Sequence, residues 1–244
     1  MSDKLLAANV ADDILRNTDK IKYKPSEKRP LTPAEKKAVF DATYKYDSDQ
    51  AYVYLIYGCG LRREECVALT IFDFNFKKRE VSVSKAYEYI TNTPGVKDPK
   101  SSNGIRTIPI PSKILPVVQG YVESVKHSGR TQLFVTMRDK KPLTKSAYDK
   151  MWKRIVESMQ AVCKEDIVGL TGHVFRHNYC SSLCYQIPRV SIKRIAQLLG
   201  DTEAMVMNVY SHILAEREDV EGAVNDAINF LRVLSFFYLH TLFF

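Results

Sequence analysis

Three kinds of side chain within residues 171–212 have the chemistry needed to handle a phosphodiester. His173 and Arg176 form a His-x-x-Arg pair, and Tyr210 follows in the run NVYSH. The planar guanidinium of an arginine binds two phosphate oxygens. A histidine transfers protons near neutral pH, and a tyrosine can attack as a nucleophile and form a covalent intermediate. Each residue alone would mean little, so the elements that hold them decide the interpretation.

The segment between the His-x-x-Arg pair and the tyrosine is predicted to be helical. The sequence predicts one short helix over about 190–199 and another over about 204–210, with a break at Gly200. Compact helical turns of this kind would bring the imidazole, the guanidinium and the phenol near one another.

A zinc site is the first alternative for this segment. His173, His177, Cys180 and Cys184 are spaced i, i+4, i+7 and i+11 and would share one helical face. At about 1.5 Å rise per residue, the first and last lie roughly 16 Å apart, too far to share one ion. We therefore predict no metal at this set of residues, and we assign both cysteines to the core; no cofactor is expected elsewhere in the chain. A two-ligand site at His173 and His177 stays an alternative, as does a phosphate contact by His212.

The packed domain is predicted to begin near residue 31. Thr32, Pro33 and Glu35 match a helix N-cap, a first helical position and a capping box, so a helix should run to about residue 46. A second helix should cover about 49–57.

Arg62 follows the two glycines that should end this second helix. Gly58 and Gly60 are helix-stop residues, and Glu65 lies one helical turn after Arg62. The position directly after a glycine-rich helix end favours a fixed location for this arginine. A surface arginine on a helix is the alternative.

The chain changes to a β pattern over residues 79–110. Residues 79–90 alternate and are predicted to form one strand, residues 91–104 a long loop, and residues 105–110 a second strand. The two strands should form an antiparallel pair whose mobile tip carries Lys97 and Lys100. In the second strand, one face should hold Arg106, Ile108 and Ile110.

The most basic stretch of the chain follows. Helices are predicted over about 112–126 and from a Thr144 cap to about residue 159, with a short strand at 133–135. Residues 126–154 hold nine Lys or Arg against two Asp or Glu. A helix that interleaves basic residues with an aromatic suits contact with a phosphate backbone. The predicted DNA-binding residues are Lys145, Lys153 and Arg154, and a plain solvated face is the alternative.

Composition places weaker bounds on the chain. It has 244 residues, 45% hydrophobic and 26% charged, which is an ordinary balance for a globular domain. The net charge of +8 favours a polyanionic partner only mildly. The five cysteines follow no disulfide framework, and we expect no signal peptide and no membrane span. These features predict a cytoplasmic protein.

Four sequence blocks together resemble a known family. GCGLRREE, DPKSSNGIRTIPI, LTGHVFRH and QLLGDTEAMVMNVYSHI occur in the order and spacing of the catalytic domain of tyrosine site-specific recombinases, the phage integrase family. The resemblance covers about residues 31–214. It implies an α+β fold that is mainly α-helical, with a small antiparallel β-sheet at one edge.

The resemblance also implies catalytic roles. It identifies Arg62 as the first catalytic arginine, Glu65 as a supporting acidic residue, Lys100 as the hairpin lysine that protonates the leaving 5′ oxygen, His173 and Arg176 as the His-x-x-Arg pair, and Tyr210 as the nucleophile. The family cuts one strand at a time without metal or ATP. The tyrosine becomes joined to the 3′ phosphate, and a 5′ hydroxyl is released.

The partners follow from the same resemblance. They are double-stranded DNA, further copies of the chain in a homotetramer on DNA, and an accessory DNA-bending protein, with no membrane. The implied location is the cytoplasm of a bacterium, at the nucleoid, with the gene carried by the bacterium or by a phage.

Three features depart from the family pattern. The block LLG is usually followed by His or Trp, but Asp201 stands here, so its carboxylate either points away from the phosphate or weakens the site. His177 or His212 could substitute for the missing donor. Residues 1–30, taken as a linker or the remnant of a core-binding domain, are too short for the usual DNA clamp. The third departure is the tail at 216–244, which ends very apolar and either docks on a neighbouring protomer or is misframed and prone to aggregate.

Three functional hypotheses therefore stand before the structure is considered. The first is a recombinase with residues 31–215 as its catalytic domain. The second is a type IB topoisomerase, which shares the chemistry but relaxes DNA without a defined site. The third is a catalytically impaired DNA-binding remnant, supported by Asp201 and the absent clamp.

Overall fold

The structure is a computed structural model that describes residues 29–97, 104–215 and 218–228. Lys100, most of the predicted linker or domain remnant at residues 1–30, and the apolar end of the tail lie outside these residues. No helix in the described part of the chain is both long enough and apolar enough to cross a membrane.

Eight α-helices with defined bounds account for most of the described chain. They are α1 (Pro33–Asp41), α2 (Asp47–Cys59), α3 (Arg63–Val67), α4 (Leu115–His127), α5 (Lys145–Gln160), α6 (Gly172–Cys184), α7 (Ile192–Leu199) and α8 (Glu203–Ala215). A further helical stretch covers 220–228. The mainly helical fold class is confirmed.

Helix α1 begins as predicted and ends early. The Thr32 hydroxyl accepts a hydrogen bond from the Glu35 N–H, and the Glu35 carboxylate accepts one from the Thr32 N–H, which confirms the capping box. The helix ends at Asp41 because Ala42 adopts an extended conformation. The Tyr44 hydroxyl then donates to the Val39 carbonyl, which satisfies an acceptor at the helix end.

The strands form two sheets instead of one hairpin. Strands β1 (Phe74–Asn75), β2 (Glu80–Val83) and β5 (Arg106–Pro109) make an antiparallel sheet in the order β1-β2-β5. The predicted antiparallel pair is confirmed here, with Val81 opposite Ile108 and Val83 opposite Arg106.

The continuous strand and the long loop were wrong predictions. Strands β3 (Ala86–Ile90) and β4 (Thr93–Lys97) form a separate antiparallel hairpin, and β4 lies within the predicted loop. The Tyr89 hydroxyl connects this hairpin to the rest of the domain by donating a hydrogen bond to the Leu143 carbonyl. Such a contact between distant segments cannot be read from alternation within one segment.

The predicted short strand at 133–135 is also absent from the described structure. Leu133 and Phe134 are buried core residues, and only isolated bridges flank them. The hydrophobic pattern of this segment reflects burial between helices and not strand pairing.

Two apolar clusters hold the helices. The larger cluster is formed by buried side chains from Leu31 to Phe175, which lies in the first half of α6. Within it, the rings of Tyr52, Phe134, Trp152 and Phe175 pack edge to face. The smaller, called the C-terminal cluster below, joins the end of α6 to α7 and α8. Its buried members are Cys180, Cys184, Ile195, Ala196, Leu199, Val206 and Ile213. The cysteines therefore belong to the core, as predicted.

Candidate functional site

Arg62 is placed by a left-handed glycine and by the first turn of α3. Gly60 ends α2 with φ of 59°, and a Cβ atom there would lie 2.3 Å from the Tyr179 ring. Arg62 is the N-cap of α3, and its backbone N–H donates to Glu65 over 2.8 Å. Its guanidinium donates from Nη1 to Glu65 and from Nη2 to the Gly200 carbonyl. The predicted fixed location of Arg62 agrees with these contacts.

Arg176 lies in α6, and backbone carbonyls hold its guanidinium. Nη1 donates to the Gly60 carbonyl over 2.9 Å, and Nη2 donates to the Leu199 carbonyl over 2.7 Å. Burial and the neighbouring charge of Arg62 lower the pKa of Arg176 to about 10. The residue therefore remains charged at neutral pH, in a place where positive charge is concentrated.

Asp201 joins these two arginines. Its Oδ2 atom accepts hydrogen bonds from Nη2 of Arg62 at 3.2 Å and from Nη2 of Arg176 at 3.1 Å. The preceding Gly200 has φ of 62° and ends α7, which turns the chain so that the carboxylate faces the arginines. The expectation that the Asp201 side chain points away from the phosphate site was wrong, because its carboxylate contacts both arginines. The two guanidiniums form a site for an anion, and a carboxylate is within it.

A third arginine, Arg106, was not among the predicted site residues. Its guanidinium makes a bidentate pair with Glu65, at 2.9 and 2.7 Å, and its Nε donates to the Leu198 carbonyl. Its side chain is only 5% exposed. Predicted alternation had placed Arg106 on the face of Ile108, and a charged residue on an apolar strand face is the signal that identifies it.

The Glu65 carboxylate is the shared acceptor of this network. Burial alone would raise the pKa of Glu65, but the hydrogen bonds and charge of Arg106 and the N–H of Arg62 outweigh burial and lower it to about 2. Glu65 is thus ionised at neutral pH and orients Arg62 and Arg106 together.

A cavity of about 270 Å³ opens beside the arginine pair. Its lining includes Arg62, Arg176, Asp201, His173, His177, Cys180, Met205 and Val209. His173 is exposed at the start of α6, so its imidazole can meet a ligand that approaches from solvent. His177 lies one turn further along, with Nδ1 3.4 Å from the Ser181 hydroxyl.

Tyr210 is not part of the lining of this cavity. The preceding residue, Val209, lines the cavity, whereas Tyr210 is partly buried and packs against the C-terminal cluster. His212, in the last turn of α8, is exposed and also outside the lining. The structure therefore brings Arg62, His173 and Arg176 together and places Tyr210 on the adjoining helix.

The predicted DNA-binding residues of α5 differ in their surroundings. Lys145 lines a cleft of about 620 Å³ with Arg63, Lys85 and Lys97. Lys153 is 78% exposed. Arg154 makes two hydrogen bonds to the buried Asp49 carboxylate, so its guanidinium has a role in the fold. A contact of any of the three with DNA stays a prediction.

The fold and the site define a class of protein. A mainly helical domain with small antiparallel sheets is the catalytic-domain fold of tyrosine recombinases and integrases. Residues 29–217 match the model of the Phage integrase family, and the chain belongs to that family.

Curated relatives agree with this assignment. The chain is 28% identical over 198 residues to tyrosine recombinase XerA of Pyrococcus furiosus, which covers 80% of this chain and 62% of that protein. It is 24% identical over 182 residues to the transposase from transposon Tn916 of Enterococcus faecalis, which covers 70% of this chain and 44% of that protein. The chain spans about half the length of the first curated relatives it matches.

Solved structures show the same fold. The Tn1549 transposon integrase in complex with transposon right end DNA has a TM-score of 0.63 and 25% identity, with 78% of this chain and 66% of that chain covered. The crystal structure of XerA recombinase has a TM-score of 0.57 at 18% identity, with coverage of 83% of this chain and 63% of that chain, and supports the fold alone.

Proposed function

We propose that this chain is the catalytic part of a site-specific DNA recombinase that cleaves and rejoins strands through a 3′-phosphotyrosyl intermediate. The reaction would serve integration and excision of a phage or another mobile element. One observation carries the proposal: Arg62 and Arg176 converge on a single carboxylate oxygen in a cavity that is also lined by Val209, the residue before Tyr210. The names of the relatives, which include tyrosine recombinases and a transposase, support the same activity.

The arginine pair would bind the scissile phosphate and stabilise the transition state. Negative charge grows on the non-bridging oxygens during attack, and two guanidiniums held by backbone carbonyls can spread it without moving. Loss of either arginine should cost on the order of 3–4 kcal/mol of transition-state stabilisation. His173, exposed on the same cavity, would donate a hydrogen bond to the phosphate or transfer a proton.

Tyr210 would supply the nucleophile. Its oxygen attacks phosphorus as the phenol proton passes to His173 or to solvent. The bond from phosphorus to the 5′ oxygen breaks, and the proton delivered to that oxygen would come from Lys100. Attack requires the phenol oxygen to approach within about 3–3.5 Å of phosphorus. Since the phenol packs against the C-terminal cluster, α8 must present it to the cavity when DNA is bound.

The proposed partners are double-stranded DNA and further copies of this chain. DNA is supported by related integrases and recombinases whose structures were solved with it. A homotetramer on DNA is supported by an exposed apolar stripe on the helix at 220–228, formed by Val220, Val224 and Ile228 at a spacing of four residues. An accessory DNA-bending protein and a nucleoid location complete the proposal.

The decisive experiment is capture of the covalent intermediate. End-labelled duplexes with a nick and a randomised core are incubated with wild type, Tyr210→Phe and the control Tyr185→Phe, then separated on denaturing gels. Tyr185 is an exposed tyrosine at the end of α6, outside the proposed site. Wild type and the control should carry label with the protein, and Tyr210→Phe should carry none. Sequencing the trapped DNA would identify the site.

The alternatives give different results in the same assay. A second arm joins residue 1 to the core-binding domain of a family member, so that a clamp is present. No adduct in either arm would leave a DNA-binding remnant, and an adduct that survives in Tyr210→Phe would assign the nucleophile elsewhere. Relaxation of supercoiled plasmids of unrelated sequence would instead favour a type IB topoisomerase.

A further inference from the structure

We propose that Asp201 determines which anions the arginine pair accepts. Its carboxylate occupies the pair in the free protein, and it must turn away before a DNA phosphate can bind. The site would then reject free phosphate and admit only a phosphate that the rest of a duplex holds in place. This inference rests on the proposed function for the assignment of the arginine pair to the scissile phosphate.

The arginines do not need Asp201 to keep their positions. Arg62 also donates to Glu65 and to the Gly200 carbonyl. Arg176 also donates to the carbonyls of Gly60 and Leu199. The pair would therefore stay in place without the Asp201 carboxylate, which is better described as an occupant of the site than as a support for it.

The carboxylate and a phosphate cannot share this position. Both are anions that accept hydrogen bonds from the same two Nη2 groups, and like charges a few ångströms apart repel one another strongly. The carboxylate is tethered to the site, which gives it an effective concentration of roughly millimolar or higher. A free anion at lower concentration would lose the competition.

Asp201 has a second place available. Its side chain is 25% exposed, and Asp201 also lines a second cleft, of about 670 Å³. Lys193 and Arg194 line that cleft, together with the carboxylates of Glu80 and Glu203. Rotation of the side chain would move the Asp201 carboxylate towards Lys193 and Arg194, which can compensate its charge.

A duplex can drive this exchange, whereas inorganic phosphate cannot. DNA brings many phosphates that contact basic side chains elsewhere on the surface, and this binding energy can offset displacement of the carboxylate. Inorganic phosphate has only the arginine pair. Asp201 would thus act as a specificity-determining residue for a phosphate within DNA.

Inorganic phosphate is the probe that tests the idea. Its apparent affinity is measured from the rise in thermal midpoint with phosphate concentration, at neutral pH and constant ionic strength. Asp201→Asn keeps the shape and removes the charge, and it should bind phosphate at least about tenfold more tightly than wild type. The double variant Asp201→Asn/Arg176→Gln should lose that gain. Asp166→Asn, at an exposed position in the loop before α6 and outside both cavities, makes the same change of side chain and should match wild type.

Two results would overturn the inference. Equal or weaker phosphate binding by Asp201→Asn would show that Asp201 is not a competitor. An equal gain in Asp166→Asn would trace the effect to net charge. The covalent-adduct assay separates this inference from the proposed function. Tighter phosphate binding by Asp201→Asn without any Tyr210 adduct would support Asp201 as a competitor and overturn the proposed recombinase activity. A Tyr210 adduct without tighter phosphate binding by Asp201→Asn would support the recombinase activity and overturn the competitor role of Asp201.

Discussion

Among the individual residues, Glu65 positions two of the arginines, Arg62 and Arg106. Its two oxygens accept four hydrogen bonds, two from Arg62 and two from Arg106, at 2.7–2.9 Å. Breaking a buried ion pair by removing one partner is costly, because the other charge stays buried without compensation. The catalytic prediction for Arg62 is therefore tied to a carboxylate that does not touch the cavity.

Glu65→Gln should lower the free energy of unfolding at neutral pH by about 3–5 kcal/mol. The pKa of Glu65 falls from 4.5 to about 2 on folding. Its contribution is therefore complete above about pH 4.5 and is lost as the pH falls towards 2. Urea unfolding followed by circular dichroism should show the gap between wild type and variant narrowing in that range.

Glu64→Gln is the matched control for this prediction. Glu64 is the neighbouring carboxylate, 29% exposed, and it pairs with Arg63 at the surface. Its substitution should cost less than about 1 kcal/mol. Similar losses in the two variants, or a gap that is unchanged in acid, would contradict the role assigned to Glu65.

At the scale of elements, helix ends bring the site together. The C-terminal caps of α2 and α7 are both left-handed glycines, and each presents its carbonyl to an arginine from another element. Arg106 adds a link from β5 to the end of α7 through the Leu198 carbonyl. Carbonyls left free at helix ends thus become the acceptors that hold the arginines.

Gly60→Ala should destabilise the protein by at least about 2 kcal/mol and reduce adduct formation. An added Cβ would meet the Tyr179 ring at 2.3 Å, in a left-handed conformation that alone costs about 1–2 kcal/mol. Relief of the clash must move the chain that leads to Arg62. Thermal unfolding and the adduct assay measure the two effects.

Gly120→Ala gives the opposite expectation. Gly120 lies inside α4, and an added Cβ would have no heavy atom within 4 Å. The change should stabilise the protein by about 0.4–1 kcal/mol and leave adduct formation unchanged. Equal destabilisation by the two changes would show that the packing around Gly60 is not the cause.

Across the protein, some basic side chains are bound in ion pairs within the fold and others are exposed to solvent. The net charge is +8, but several arginines serve the fold, such as Arg154 with Asp49 and Arg106 with Glu65. The lysines of α5 are the ones more available to DNA. Nonspecific affinity should therefore depend on Lys145 and Lys153 more than on Arg154.

The double variant Lys145→Gln/Lys153→Gln should weaken binding to duplex DNA of any sequence. If each lysine contacts one phosphate, the slope of log affinity against log salt should decrease by about 2. Fluorescence anisotropy over a salt series measures the slope. Lys37→Gln/Lys113→Gln removes the same charge from α1 and from the turn before α4, and should keep the wild-type slope. Equal slopes for the two double variants would remove α5 from the interface.

The sequence alone predicted features that depend on neighbouring residues. The capping box at Thr32, the Thr144 cap of α5 and the shared face of Arg106 and Ile108 all follow from local spacing. The four family blocks are also local patterns, and they identified the family. Local preferences act over a few residues, so they can be inferred wherever those residues are adjacent in the chain.

Ion pairs between residues that are far apart in the chain are seen only in the tertiary structure. Arg62 and Asp201 are 139 positions apart, and Arg106 and Glu65 are 41 apart. The pairing of β3 with β4 was likewise decided by packing, since the Tyr89 hydroxyl reaches the Leu143 carbonyl across 54 positions. The sequence shows which of these groups are charged or apolar. Which groups meet depends on how the helices and sheets pack, because burial requires each charge to find a partner wherever the fold places one.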